Sequence, residues 1–150
     1  QTNKVKYLID KVSMIQSVDS FRLASEISRL CKRDRMSMDI LIEVNIGREK
    51  QKSGVMPEEL EEFLLQAASL EGIRVKGLMA IPPAEASPAE TRSFFSKMTQ
   101  YFVDIKSKSI DNVTMDCLSM GMSSDFTDAI LCGSTMVRVG SSLFGARLSV

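Results

Sequence analysis

The chain contains no histidine and no tryptophan among its 150 residues. Without histidine it lacks the commonest general base and metal ligand near neutral pH, so any proton transfer must use other side chains. Its three cysteines are odd in number and do not have the paired spacing of a metal site. They are therefore predicted to be reduced, inert thiols, as is typical of a cytoplasmic protein, and no metal site is expected.

Excess charge of either sign and long apolar runs are also missing. Nineteen basic residues balance nineteen acidic ones, and no basic stripe indicates a nucleic-acid partner. The apolar runs are too short to cross a bilayer, and no signal-peptide pattern is present, so no membrane partner is expected. With 44% apolar and 25% charged residues, the composition predicts a globular protein with one domain over residues 1–150.

The apolar residues that are present alternate between two periods along the chain. Period-two segments predict strands at 13–18, 38–46, 73–81, 113–119 and 136–140. Helical spacing and capping residues predict helices at 3–10, from a cap at Asp19 or Ser20 through Leu30, at 57–72, from the Ser87 capping box onward, and at 124–132. This strict alternation predicts an α/β fold with a parallel sheet covered by helices.

The second predicted strand indicates which kind of parallel sheet this is. Ile40, Ile42 and Val44 share one face, whereas Glu43 and Asn45 lie on the other, towards the carboxyl end of the strand. Polar residues at that end are typical of a (β/α)8 barrel, which needs about 250 residues in all. We therefore expect a partial barrel with about five parallel strands. Because the chain lacks an initiator methionine, we expect it to be a C-terminal part whose first strands are missing.

Two segments near the carboxyl end have the composition of a phosphate site. Residues 118–126 and 137–145 each begin as an apolar strand and continue into glycine and serine. Small residues after a strand allow backbone N–H groups to approach an anion, and a following helix N-terminus adds partial positive charge. Two such turns on neighbouring strands would form a phosphate cup, with Arg138 beside the second turn.

Seven blocks of this sequence occur in the order and spacing of a known family. They are residues 1–6, 17–20, 41–46, 52–54, 77–83, 118–123 and 137–140. Together they resemble the pyridoxal 5′-phosphate (PLP) homeostasis proteins, also called the YggS or PROSC family, whose fold is the alanine racemase N-terminal barrel. The resemblance implies PLP as cofactor, held through a Schiff-base lysine on the first barrel strand. That strand is not in this sequence, so no lysine here is assigned the role.

The resemblance also implies the phosphate contacts. Ser119 and the turn at Gly121 and Ser123 would contact the phosphate, and backbone N–H groups of Gly140 and Ser141 would lie on its other side. The residues themselves leave alternatives open. Ser119 could instead serve merely to cap the following turn, without contacting a phosphate. The two glycines could likewise serve only to turn the chain.

The remaining site residues are assigned by the same resemblance. Arg138 matches an arginine that faces the pyridine nitrogen, where a permanent cation makes the ring a weaker electron sink; alternatively it forms a buried ion pair with Glu43. Met79 would line the pocket floor. Asn45 either contacts the PLP ring or a residue that touches the ring, or is a core polar group whose hydrogen bonds are satisfied within the protein. Lys52 either makes a secondary PLP contact or is simply solvated.

Three functions remain in competition at this point. The resemblance favours a cytoplasmic, non-catalytic PLP carrier, monomeric and in transient contact with PLP-dependent apoenzymes. The alternative is an amino-acid racemase or decarboxylase of the same fold, which would need a second domain and a tyrosine or cysteine that reaches the pocket. Tyr7 and Tyr101 both lie in predicted helices. The third is a phosphate-binding barrel with an unrelated ligand.

Overall fold

Five strands alternate with helices along residues 1–145, the part of the chain that this computed structural model describes. The strands are β1 (Met14–Val18), β2 (Met38–Val44), β3 (Ile73–Ala80), β4 (Val113–Met122) and β5 (Met136–Arg138). The helices are α1 (Phe21–Asp34), α2 (Leu60–Ala68), α3 (Pro88–Ser107), α4 (Phe126–Leu131) and α5 (Ser141–Phe144). Short 3₁₀ helices cover Thr2–Tyr7 and Pro57–Glu59. None of the helices in residues 1–145 is long and apolar enough to span a bilayer.

The sheet is parallel throughout, and each strand pairs with the next one in sequence, in the order β1-β2-β3-β4-β5. Because parallel crossovers are right-handed, a sheet that grows in one direction receives its helices on one face. A doubly wound sheet would instead reverse its strand order. The structure is therefore a half-barrel, which confirms the predicted α/β fold with five parallel strands.

The two faces of the sheet carry different side chains. Ile40, Ile42 and Val44 pack in a large apolar cluster beneath the helices. Leu41, Met79 and Cys117 form a smaller cluster on the opposite, inner face, with Met14 and Met136 packed against it. We call these the outer cluster and the inner face. The alternation predicted for the second strand is confirmed, because successive residues of a strand point to opposite sides.

The sheet curls strongly about its inner face. Gln16 of β1 donates a hydrogen bond to the Met136 sulfur of β5 at 3.1 Å, although β1 and β5 are the two edge strands. The same glutamine accepts a hydrogen bond from Ser119 of β4 at 2.8 Å. Side chains from distant strands therefore meet across the concave face, as they do inside a barrel.

Several predicted boundaries differ from the observed ones. The first predicted helix is a 3₁₀ helix that ends at Tyr7. The last strand ends at Arg138 because Gly140 already stands at the N-cap of α5. β2 ends at Val44 because the Asn45 N–H bonds to the Val55 carbonyl and leaves the main sheet. The Ser87 capping box at the start of α3 is confirmed.

Candidate functional site

Arg138 lies at the carboxyl edge of the half-barrel and links three strands. From the end of β5, its Nη1 donates to the Ser119 hydroxyl of β4 at 2.6 Å, and its Nη2 donates to the Ala80 carbonyl of β3 at 3.1 Å. Burial lowers the pKa of the guanidinium, while the carboxylates of Glu43 and Asp125 oppose that shift. An arginine in such a place still carries its charge at neutral pH. The site therefore presents a half-buried cation at the strand ends.

Ser119 lies in a row of side chains that crosses the inner face. Backbone register places Glu43 beside Met79, Met79 beside Ser119, and Ser119 beside Met136. Ser119 is fully buried, and its hydroxyl donates to Gln16 while it accepts from Arg138. Met79 is also buried and forms part of the inner apolar cluster. The predicted residues Met79, Ser119 and Arg138 are thus brought together.

Glu43 is the acidic member of this row. Burial raises the pKa of its carboxyl group, the Asp19 carboxylate raises it further, and the Arg138 guanidinium partly offsets both. Although both residues lie in the described part of the chain, Glu43 and Arg138 do not come within ion-pair distance of 4 Å. The buried ion pair that the sequence left open is therefore not formed here.

Two backbone N–H donors that follow β5 converge on Ser123 in the turn after β4. The Ser123 hydroxyl oxygen accepts hydrogen bonds from the backbone N–H groups of Gly140 and Ser142, both at 3.2 Å. Two backbone donors that point to one oxygen match what a phosphate oxygen requires. The geometry therefore fits an anionic group, and it places the predicted Ser123, after β4, against Gly140 and the neighbouring Ser141, after β5.

The two predicted glycines differ in what surrounds them. Gly121 has a φ of +95°, and a Cβ added there would lie 2.5 Å from the Ala129 Cβ of α4. Packing of β4 against α4 therefore accounts for this glycine. Gly140 has a φ of −114°, and an added Cβ would have no heavy atom within 4 Å. Protein packing does not require a glycine at 140, which leaves open space beside its N–H.

Asn45 and Lys52 belong to the loop that follows β2. The Asn45 amide donates to the carbonyls of Glu49 at 2.9 Å and Lys52 at 3.4 Å, and its oxygen accepts the Glu49 N–H at 3.0 Å. Its hydrogen-bonding capacity is thereby used within the loop. Lys52 is exposed in the same loop. The structure does not bring these two side chains into contact with Arg138 or Ser123.

Gln16 is a site residue that the sequence reasoning missed. It is half-buried on the inner face and contacts both Ser119 and Met136. The available signal was a polar residue in the middle of a short apolar strand, the same signal that singled out Glu43. Its partners lie 103 and 120 residues away in sequence, so the pattern alone did not identify them.

The family model of the alanine racemase N-terminal domain matches residues 1–148. A pyridoxal phosphate homeostasis protein of Aquifex aeolicus is 44% identical over 147 residues, which cover 98% of this chain and 64% of that protein. The protein of the same name in Haemophilus influenzae is 36% identical over 98% of this chain and 62% of its own length. The chain thus spans less than two-thirds of the curated relatives that it matches.

Solved structures give the same relationship. PipY of Synechococcus elongatus without PLP superposes with a TM-score of 0.89 at 32% identity, covering 97% of this chain and 67% of PipY. The structure of PipY with PLP bound gives a TM-score of 0.86 at 31% identity, over 97% of this chain and 66% of PipY. The resemblance that the sequence motifs indicated is confirmed. The chain belongs to the alanine racemase N-terminal domain family, in which it is similar to the pyridoxal phosphate homeostasis proteins.

Proposed function

We propose that the protein containing this chain binds PLP and serves as a non-catalytic carrier or buffer in PLP homeostasis. The observation that carries the proposal is the two donor groups at the carboxyl end of β5. One is the half-buried Arg138 guanidinium, and the other is the pair of N–H groups that converge on Ser123. The PLP-bound structure of PipY and the names of the curated relatives support the choice of PLP as the ligand.

Each group has a distinct task in this proposal. The N–H groups of Gly140 and Ser142, with Ser141 between them and Ser123 facing them from the turn after β4, bind the phosphate as backbone donors do at strand-to-helix turns. PLP, when bound, supplies an aldehyde that reacts with amines and a ring that withdraws electrons. Arg138 faces the ring nitrogen, where its permanent charge disfavours a second positive charge. Met79 lines the pocket, and Gly121 holds the turn against α4.

The same geometry favours a carrier over an enzyme. Among residues 1–145, Tyr7 is 62% exposed in the first 3₁₀ helix, and Tyr101 packs with the outer cluster. Neither phenol can act as an acid or base on the inner face. The cysteine that does lie on the inner face, Cys117, is buried, and burial raises the pKa of its thiol. The second candidate, a racemase or decarboxylase, would therefore need a more accessible acid or base from elsewhere. A cytoplasmic location, a monomer and transient delivery to PLP-dependent apoenzymes remain part of the proposal, as does a secondary PLP contact at Lys52. Asn45 fits the alternative of a satisfied polar group, because its amide is bonded within the loop.

A titration with a matched control tests the proposal. The purified protein is titrated with PLP and followed by its absorbance, in the wild type, in Arg138→Gln and in Arg29→Gln. Loss of a charged hydrogen-bond donor is expected to weaken binding about tenfold or more. Arg29 is an exposed residue of α1, and its ion pair with Glu26 contributes little, so the control should bind like the wild type.

Either of two results would contradict the proposal. The first is a wild-type protein that shows no saturable PLP binding. The second is an Arg138→Gln variant that binds as tightly as the wild type. Incubation with either alanine enantiomer in the presence of PLP tests the non-catalytic part, because racemisation well above the rate of free PLP would favour the enzyme alternative.

A further inference from the structure

A continuous chain of hydrogen bonds crosses the inner face from Met136 to Arg138. Gln16 Nε2 donates to the Met136 sulfur at 3.1 Å, and Ser119 Oγ donates to Gln16 Oε1 at 2.8 Å. Arg138 Nη1 then donates to Ser119 Oγ at 2.6 Å, and Nη2 donates to the Ala80 carbonyl at 3.1 Å. The first two members of this chain have no task in the proposed function.

The direction of the chain follows from the chemistry of its first member. A thioether sulfur can accept a hydrogen bond but has no proton to donate. The amide nitrogen of Gln16 must therefore face Met136, and the amide oxygen must face Ser119. With the amide turned over, its oxygen would lie against the sulfur, and two acceptors would meet.

The orientation of Gln16 in turn determines what Ser119 can do. A serine hydroxyl has one proton, and here that proton is donated to the Gln16 oxygen. The lone pairs of Ser119 are then directed to the Arg138 N–H, which can only donate. Ser119 is fully buried, so bulk water cannot replace a missing partner.

We propose that Gln16, oriented by Met136, is a positioning residue that makes Ser119 an acceptor for Arg138 and so fixes the guanidinium at the ligand site. This rests on the proposed function, because PLP is the ligand whose binding reports on Arg138. In this arrangement the Ser119 hydroxyl acts on the ligand through Arg138. The phosphate contacts then come from the turn at Ser123 after β4 and from the segment at Gly140 after β5.

The first test uses PLP affinity and a double-mutant cycle. Gln16→Met preserves side-chain length and removes the amide, and it is expected to lower PLP affinity about tenfold. Gln100→Met makes the same substitution at an exposed position of α3 and should leave affinity unchanged. In a Ser119→Ala background, Gln16→Met should have no further effect, because residues that act through one another are not additive.

The second test examines Arg138 without any ligand. The ¹⁵N-labelled guanidinium signal of Arg138 is assigned by its loss in Arg138→Lys, and its exchange with solvent is measured. Exchange should become at least several-fold faster in Gln16→Met. Gln16→Glu loses the hydrogen bond to the Met136 sulfur but keeps an oxygen that accepts the Ser119 proton, so exchange in it should remain slower than in Gln16→Met.

The outcomes separate the positioning role from the proposed function. If the wild type binds PLP, but Gln16→Met binds it as tightly with unchanged Arg138 exchange, the positioning role is overturned and the proposed function stands. Additive losses in the double-mutant cycle would also overturn it, since they indicate general destabilisation. If the wild type does not bind PLP, the proposed function fails, and the exchange measurement still decides whether Gln16 positions Arg138.

Discussion

Alanine substitutions at Gly121 and Gly140 are expected to have opposite consequences. At Gly121, a side chain would adopt a φ of +95° and place its Cβ 2.5 Å from that of Ala129. Non-glycine residues in strained backbone conformations cost about 1–3 kcal/mol, and overpacking adds about 1–3 kcal/mol. Gly121→Ala should therefore lower the free energy of unfolding by about 2–6 kcal/mol, a large part of the about 5–15 kcal/mol that is usual for a domain.

Gly140→Ala should barely affect folding. Its φ of −114° suits any residue, and no heavy atom lies within 4 Å of the added Cβ. We expect the free energy of unfolding to change by less than about 0.5 kcal/mol. PLP affinity should nevertheless fall about tenfold, because a methyl group beside the Gly140 N–H enters space that the proposed ligand uses.

Equilibrium unfolding in urea measures both variants against the wild type, and the slope of each transition checks that two-state behaviour is preserved. PLP titration of the same preparations provides the second readout. A wild-type midpoint for Gly121→Ala would refute the packing argument. A Gly140→Ala variant that unfolds as easily as Gly121→Ala, or that binds PLP like the wild type, would refute the ligand argument.

Three other perturbations follow from the site. Burial raises the pKa of Glu43 in the folded protein. The protonated carboxyl therefore favours folding below the ordinary pKa of the group, and this contribution is lost as pH rises through the pKa of the folded state. Glu43→Gln should raise Tm relative to wild type at pH 7 more than at pH 4, whereas the exposed control Glu85→Gln should show no such difference. Asn45→Ala should cost about 1–3 kcal/mol and speed proteolytic cleavage in loop 47–56, since its amide hydrogen bonds hold that loop; an unchanged digestion rate would contradict this. Residues 1–150 expressed alone should self-associate in sedimentation experiments, because the inner face and the edges of β1 and β5 are open; a monomer that melts cooperatively would argue against it.

The strand faces could be predicted because one face is apolar and the other carries an isolated polar residue. In β2, the outward Ile40 and Ile42 and the inward Glu43 follow the period of two without interruption. The same period of two holds in β4 and β5, where Ser119 and Arg138 lie on the inner face. Local pattern was sufficient here because backbone geometry alone determines which side chains share a face.

Boundaries and cross-sheet contacts could not be predicted in the same way. β5 ends at Arg138 because the N–H of Gly140 turns towards Ser123, which lies 17 residues earlier. The contacts of Gln16 depend on the curl of the whole sheet and on a register shift between Ile15 and Val18 of β1. Neither property is a function of nearby residues, so a single-sequence pattern carries no signal for it.

The placement of polar groups separates what the two faces of the sheet contribute to folding and to the ligand site. The outer cluster contains most of the buried apolar side chains and therefore most of the hydrophobic stabilisation. The inner face carries Ser119 and Gln16, whose burial is unfavourable unless their hydrogen bonds are complete. Because Gln16, Ser119 and Arg138 satisfy one another by hydrogen bonds, substitutions at Gln16 and Ser119 should alter the orientation of Arg138 before they alter folding. Substitutions in the outer cluster should instead lower the stability of the fold before they alter Arg138, since a cavity there reduces stability without contact to the ligand site.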